Sequence, residues 1–213
     1  MMRDVDDTAA KSNGVIHVTY NVLLVRDGDA VVEVSRQRTT GLCQVEPDAV
    51  VVFTGIHTGL VNVAVETRSV APRTVDMADW DEVADVDFRA ERGNLTIASL
   101  GGDVPASLSE LTPPGPATYR VRIHARGRDS DGAASEPSED YLFIIWPTES
   151  KERLVIYKET DQAGALRRSM TRDLSESSTA TRPQPKQKPQ RSRHAPGPRQ
   201  VARANRREPP PAK

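Results

Sequence analysis

The sequence predicts an all-β fold: an antiparallel β-sandwich or open barrel of about eight to nine short strands, followed by a disordered C-terminal tail. Three observations predict it. Apolar and β-branched side chains recur with a period of two through residues 15–157. Gly, Pro and Asp turns separate these runs, and no stretch between them holds a 3.6-residue period over three turns. From residue 182 to 213, 8 of 32 residues are Pro, 10 are Lys or Arg, and none is Leu, Ile, Phe, Tyr or Trp. Such a segment cannot bury enough apolar area to offset its ordering entropy.

Residues 1–14 are polar and expected to be disordered, and 15–158 are expected to form the sandwich-like domain. Ile16, Val18, Tyr20, Val22 and Leu24 share one face of an extended segment. Arg26-Asp27-Gly28-Asp29 then signals a turn, and 30–34 return as a strand, so 15–34 reads as a β-hairpin. Further strands are expected at 50–54, 60–67, 83–90, 94–99, 119–126, 141–146 and 154–157, with a second tight hairpin at Glu91-Arg92-Gly93-Asn94. Short strands without intervening helices imply antiparallel pairing. Residues 159–213 are expected as a disordered basic Pro/Arg-rich tail, although 163–174 carry a marginal amphipathic pattern around Leu166, Met170 and Leu174.

The chain has 213 residues and a formal net charge of −1, from 29 basic and 30 acidic side chains. That balance hides a division. Residues 1–160 hold 16 basic and 26 acidic groups, a net of −10, and residues 161–213 hold 13 and 4, a net of +9. A single cysteine, Cys43, excludes an internal disulfide framework. The start Met1-Met2-Arg3-Asp4-Val5 lacks the apolar run of a secretory signal, and no stretch approaches the roughly 20 apolar residues of a membrane span. The expected location is therefore cytoplasmic. Arg outnumbers Lys 23 to 6, as in a high-GC bacterial genome.

No catalytic constellation is legible. His17, His57, His124 and His194 are far apart, and one cysteine leaves no thiolate zinc site, so neither metal nor cofactor is expected. There is no nucleophile elbow, phosphate-binding loop or dinucleotide fingerprint. Asp129-Ser130-Asp131-Gly132 starts like a calcium loop but lacks the later ligands and reads better as a turn.

Two clusters are candidates for binding. Asp76, Asp79, Asp81, Glu82, Asp85 and Asp87 surround Trp80, a pattern suited to anchoring a basic protein surface. Alternatively, this is an acidic loop whose Trp tucks into the core edge. Arg120, Arg122, His124 and Arg126 form a basic row on one face of a strand, extended by Arg128, which could bind a polyanion. The competing reading pairs that row with Asp85 and Asp87 across the sheet. In the tail, Arg191, Arg193, Arg199, Arg203, Arg206 and Arg207 are the polyanion candidates.

The segments Thr19-Tyr20-Asn21-Val22-Leu23-Leu24-Val25, 83–88 leading to Leu95-Thr96-Ile97, and Leu111, Gly115 and Tyr119-Arg120-Val121 together resemble the competence protein J family of nuclease inhibitors. The resemblance spans about 15–145 and implies a β-rich, non-catalytic domain that binds a nuclease. The ending Glu136-Pro137, Tyr141-Leu142 and Trp146-Pro147 resembles the closing strand of uncharacterised actinobacterial proteins. The expected function is a non-enzymatic binding protein, an inhibitor or immunity-type partner of a basic enzyme such as a nuclease. The alternative is a nucleic-acid-associated factor acting through its basic tail.

Overall fold

Period-two alternation buries one face of each strand, and two sheets close over those faces. The computed structural model describes residues 9–35, 40–102, 104–130, 136–149 and 154–179, with side chains to residue 170. Among them are ten strands: β1 (Ala10–Val18), β2 (Val22–Arg26), β3 (Cys43–Glu46), β4 (Ala49–Phe53), β5 (Gly59–Thr67), β6 (Glu82–Ala90), β7 (Thr96–Ser99), β8 (Ala117–Arg126), β9 (Asp140–Pro147) and β10 (Leu154–Glu159). One helix, α1 (Gln162–Thr179), follows. A six-stranded sheet has the order β1-β5-β9-β8-β6-β10, and a four-stranded sheet the order β3-β4-β2-β7. Among the described residues no helix is long and apolar enough to cross a membrane.

The core lies between the sheets. Val61, Val63 and Val65 of β5, Val86 and Phe88 of β6, Val121 and Ile123 of β8, and Phe143 and Ile145 of β9 meet Leu23, Val25, Val50, Val52 and Ile97 from the smaller sheet. The outer face of the smaller sheet is apolar too. Val22, Leu24, Ala49, Val51 and Phe53 form a second cluster, with Val32 and Leu100 packed on it. Burial on both faces explains why β2 and β4 read as unbroken apolar runs rather than alternating ones.

The two-sheet, all-β architecture is the one the sequence predicts. Several details differ. β1 pairs with β5 in one sheet, whereas β2 pairs with β4 and β7 in the other, so 15–34 is not a hairpin. The chain changes sheets at Tyr20 and Asn21, both left-handed with φ of 57° and 59°. This turn reverses the facing parity. Ile16 and Val18 point inward, and after it so do Leu23 and Val25, while Tyr20 is 69% exposed. Asn21 tolerates such a conformation, and its Nδ2 donates to the carbonyl of Gly55 at 3.0 Å.

Residues 30–34 form an irregular strap instead of a strand, because Asp27 serves another purpose. Its buried carboxylate accepts N–H bonds from Glu91 (2.8 Å), Arg92 (3.0 Å) and Gly93 (2.9 Å). The 91–94 turn is likewise no hairpin: it carries the chain from β6 to β7 in the opposite sheet. β3 appears where no strand is expected, and β5 and β9 run parallel, against the expected antiparallel pairing throughout.

The domain boundaries shift as well. β1 begins at Ala10, inside the 1–14 segment expected to be disordered, and α1 occupies part of the expected tail. The disorder expected of 1–8 and 180–213 falls outside the described residues.

Replacing Asp27 with Ala leaves three amide donors without their acceptor, and each buried unsatisfied group costs about 1–3 kcal/mol. Asp27→Ala should therefore lower the urea midpoint clearly, and Asp27→Asn, which keeps one acceptor oxygen, should lower it less.

Candidate functional site

The outer face of the six-stranded sheet carries the charged residues that the sequence singles out. β6 and β8 are antiparallel with Asp85 opposite Arg122 and Asp87 opposite Arg120. Asp85 Oδ1 accepts from Arg122 Nε at 2.7 Å, and Asp85 Oδ2 accepts from Arg122 Nη2 at 3.0 Å and Arg120 Nε at 3.3 Å. Arg120 Nη1 donates to Asp87 Oδ1 at 2.7 Å. These groups are covered. The Arg122 guanidinium lies 5.2 Å from the Trp146 ring centroid and 5.4 Å from that of Tyr157, and its Nη1 donates to the Thr74 carbonyl. The hydroxyl of Tyr157 donates to Asp85 Oδ2 at 3.1 Å.

The basic row therefore faces carboxylates rather than solvent. Arg120 and Arg122 are buried. His124 is 1% exposed and packs 5.2 Å from the Trp80 ring; burial pushes its imidazole below the usual histidine range. Arg126 is the outermost, bonded to Asp140 at 2.8 Å and stacked 5.1 Å over Trp80. Arg128 is buried at the junction with α1. Thus Arg120, Arg122, His124 and Arg128 present no surface to a polyanion, a correction to that expectation. Arg191, Arg193, Arg199, Arg203, Arg206 and Arg207 lie outside the described residues.

The acidic segment splits into three environments. Asp76 and Asp79 are exposed at the tip of the 68–81 connection, with Met77 between them 40% exposed. Asp76 Oδ1 accepts the Ala78 N–H, which shapes the tip, and Lys158 Nζ donates to the Met77 carbonyl. Asp81 is half-buried and accepts the Gly127 N–H at 3.0 Å. Asp85 and Asp87 belong to the arginine pairs, and Glu82 points to the α1 junction. A contiguous acidic patch is thus corrected to a small tip. Trp80, half-buried over His124, walls a trough of about 340 Å³ with Asn13, Val15, Asn62, Ala64, Arg126 and Asp140.

Just beyond the C-terminal end of β8, Arg128 joins three parts of the chain. Its Nε and Nη2 grip Asp161 at 2.6 and 2.7 Å, and its Nη1 donates to the carbonyls of Phe53 (2.8 Å) and Gly41 (3.2 Å). Asp161 Oδ1 also accepts the Gly164 N–H, and Asp129 accepts those of Gln162 and Ala163, so the free donors of the first turn of α1 are all bonded. Asp129 is thereby a helix cap, not a calcium ligand, and 131–135 lie outside the described residues. Leu166 and Met170, two of the apolar positions in the marginal amphipathic pattern, are 60% and 59% exposed. α1 docks instead through Arg167, over the Phe53 ring at 4.4 Å, and Arg168.

The sequence reading missed Tyr157, Trp146 and Thr74 around Arg122, and Asp161 against Arg128. The first two sit in recognisable strands, but nothing local links them to Arg122. Among the described residues, no group of three His, Cys, Asp or Glu side chains is placed to hold a metal.

Removing one partner of a buried ion pair strands the other. Asp85→Ala leaves Arg120 without one of its carboxylates and Arg122 with none, and should cost roughly 3–5 kcal/mol in chemical denaturation. Arg126→Ala, at an exposed pair, should change stability by about 1 kcal/mol or less.

No family model and no curated protein sequence matches the chain. Two solved structures are similar to it. One is ComJ, inhibitor of the DNA degrading activity of NucA, from Bacillus subtilis, at 14% identity and a TM-score of 0.47, covering 66% of this chain and 99% of that one. The other is described as crocagin biosynthetic gene J, at 15% identity and a TM-score of 0.42, covering 67% of this chain and 99% of its own.

Proposed function

We propose that the chain is a non-enzymatic binding protein, an inhibitor or immunity-type partner of a basic enzyme such as a nuclease. Its contact surface is the 76–79 tip together with the trough beside Trp80. The observation that carries this is how the charges are distributed. Among the described residues, many cations of the body are paired internally: Arg120, Arg122 and Arg128 in buried pairs, Arg68 with Glu66, Arg92 with Asp48 and Arg126 with Asp140. Asp29, Glu33, Asp76, Asp79 and Glu110 are exposed and have no ion pair among the described residues, while the cations at the tip are Arg73 and Lys158, whose ammonium donates to the Met77 carbonyl. The outward field of the body is therefore acidic, and at the tip it adjoins the apolar surface of Met77, Trp80 and Val15. A basic surface carrying an apolar anchor is the matching partner. The sequence resemblance to nuclease inhibitors implies the same class of partner.

A second reading rests on residues 180–213, which hold ten basic side chains and one acidic, a net of +9. That density suits counterion-release binding to nucleic acid.

One comparison separates the two. The division point matters: a cut near 160 would remove Asp161 and strand Arg128, so the truncation should end at residue 180. The full chain, the 1–180 chain and the Asp76→Asn/Asp79→Asn variant are assayed for inhibition of a panel of basic nucleases and for DNA binding at low salt. The expected result is inhibition by the full and 1–180 chains and at least a tenfold weaker effect for the double variant. If 1–180 inhibits nothing while the full chain binds DNA in a salt-sensitive way, the nucleic-acid reading replaces this one.

A further inference from the structure

α1 is attached to the sandwich by charged groups, and two of them are carboxyls that converge on Gly164 of its first turn. Glu82, the first residue of β6, and Asp161, the residue before α1, are 1% and 4% exposed. Glu82 Oε1 and Asp161 Oδ1 lie 2.7 and 2.8 Å from the point a β-carbon would occupy on Gly164, so any larger residue there would displace these side chains. Arg128 Nη2 lies 2.8 Å from the same point, yet its guanidinium is committed to the Asp161 fork and to backbone carbonyls. Arg168 approaches Glu82 from α1 only at 3.3 and 3.4 Å, and it is shared with Glu159 of β10 at 3.3 Å. From β3 the buried Cys43 faces the cluster, its thiol pushed up to about 12 chiefly by burial and therefore uncharged. Asp81, next to Glu82, is turned to the Gly127 amide, and Asp129 is occupied in capping α1.

We propose that the Glu82–Asp161 pair is a proton-operated latch on α1. One proton, held on Glu82 and donated to Asp161, keeps the helix against the sandwich, and its loss to water loosens the first turns of α1.

The two carboxyls divide the roles by their surroundings. Burial first, and the Asp161 charge second, raise Glu82 from 4.5 to about 7 against the pull of Arg128 and Arg168. Burial also works to raise Asp161, but the hydrogen bonds and charge of Arg128 outweigh it and hold that carboxyl below its ordinary value. Asp161 is thus the acceptor and Glu82 the donor. A carboxyl whose docked-state value is raised favours docking below its free value. That contribution is lost as pH rises through the docked value. The window is therefore about pH 4.5–7.

With free and docked values of 4.5 and about 7, the opening equilibrium of α1 should rise about tenfold between pH 6 and 8. Amide hydrogen exchange of residues 162–170 in the full chain, corrected for the intrinsic base-catalysed rate, reads this as a tenfold fall in protection. Glu82→Gln, which copies the protonated carboxyl and keeps a donor toward Asp161, should hold protection constant over that range, while strand amides stay unchanged in both proteins. A tenfold fall that persists in Glu82→Gln, or flat protection in the native chain, overturns the proposal. A carboxyl carbon-13 titration of Glu82 in the native chain tests it without any substitution. A midpoint coinciding with the loss of α1 protection supports the latch, and a midpoint below pH 5 refutes it.

Discussion

The fork between Arg128 and Asp161 is the contact on which the arrangement of the chain's second half depends. It is desolvated on both sides, and the same guanidinium reaches the Phe53 carbonyl at the end of β4 and the Gly41 carbonyl before β3. One side chain thereby ties the segment after β8 to the smaller sheet and to the cap of α1. Desolvating two charges costs several kcal/mol per ion, and it is offset here because each remaining donor and acceptor is bonded. The two sheets of the sandwich are held chiefly by the apolar core between them. Within residues 162–170, Leu166 and Met170 are turned outward, and the contacts of α1 with the sandwich run through Asp161, Arg167 and Arg168.

Buried charge on the opposite face works differently. Asp85 and Asp87 oppose Arg122 and Arg120 in register, and a one-residue slip of β6 against β8 would set each arginine beside an apolar partner. The energetic return of such pairs over hydrophobic replacements is small or negative. Their effect is on uniqueness: the charges make the wrong registers expensive. Tyr157 and Thr74 then complete the coordination of Asp85 and Arg122, which fixes β10 as an edge strand and lays the 68–81 connection over the sheet. The exposed tip at 76–79 is held by the pairs beneath it.

What could be read from the sequence follows from how local each determinant is. Strands β4, β5, β6, β8 and β9 were visible because alternation or an unbroken apolar run is written within a few residues. The pairing of Asp85 and Asp87 with Arg120 and Arg122 was visible as one of two readings, because each row has its own period of two. The sheet change at Tyr20-Asn21 was hidden, because two left-handed residues reverse the parity without breaking the apolar pattern. The strap at 30–34 has a strand's composition, but Asp27 is drawn to amides 64–66 positions away. The parallel β5–β9 pair and the α1 junction share that character. Asp161, Gly164, Arg128 and Glu82 form no local pattern, and only the closed fold brings them together.

The separation of paired from unpaired charge also divides what the acidic surface can contribute to binding. Internally paired groups are neutral at a distance and add little to the field beyond about 8 Å at physiological ionic strength. Unpaired exposed carboxylates such as Asp76 and Asp79 do contribute, and a field of one sign accelerates encounter with an oppositely charged surface more than it slows release. Residence must come from desolvated contact, for which the surface beside the tip offers Met77, the exposed edge of Trp80 and the trough floor at Val15 and Ala64. In the complex proposed above, charge at the tip would set association rate and salt dependence, whereas the trough would set dissociation. Trp80 is also a packing residue, because the ring that walls the trough covers His124 and carries Arg126. Its replacement would disturb the fold along with the surface, so the carboxylates report on recognition more cleanly than the aromatic between them and the sheet.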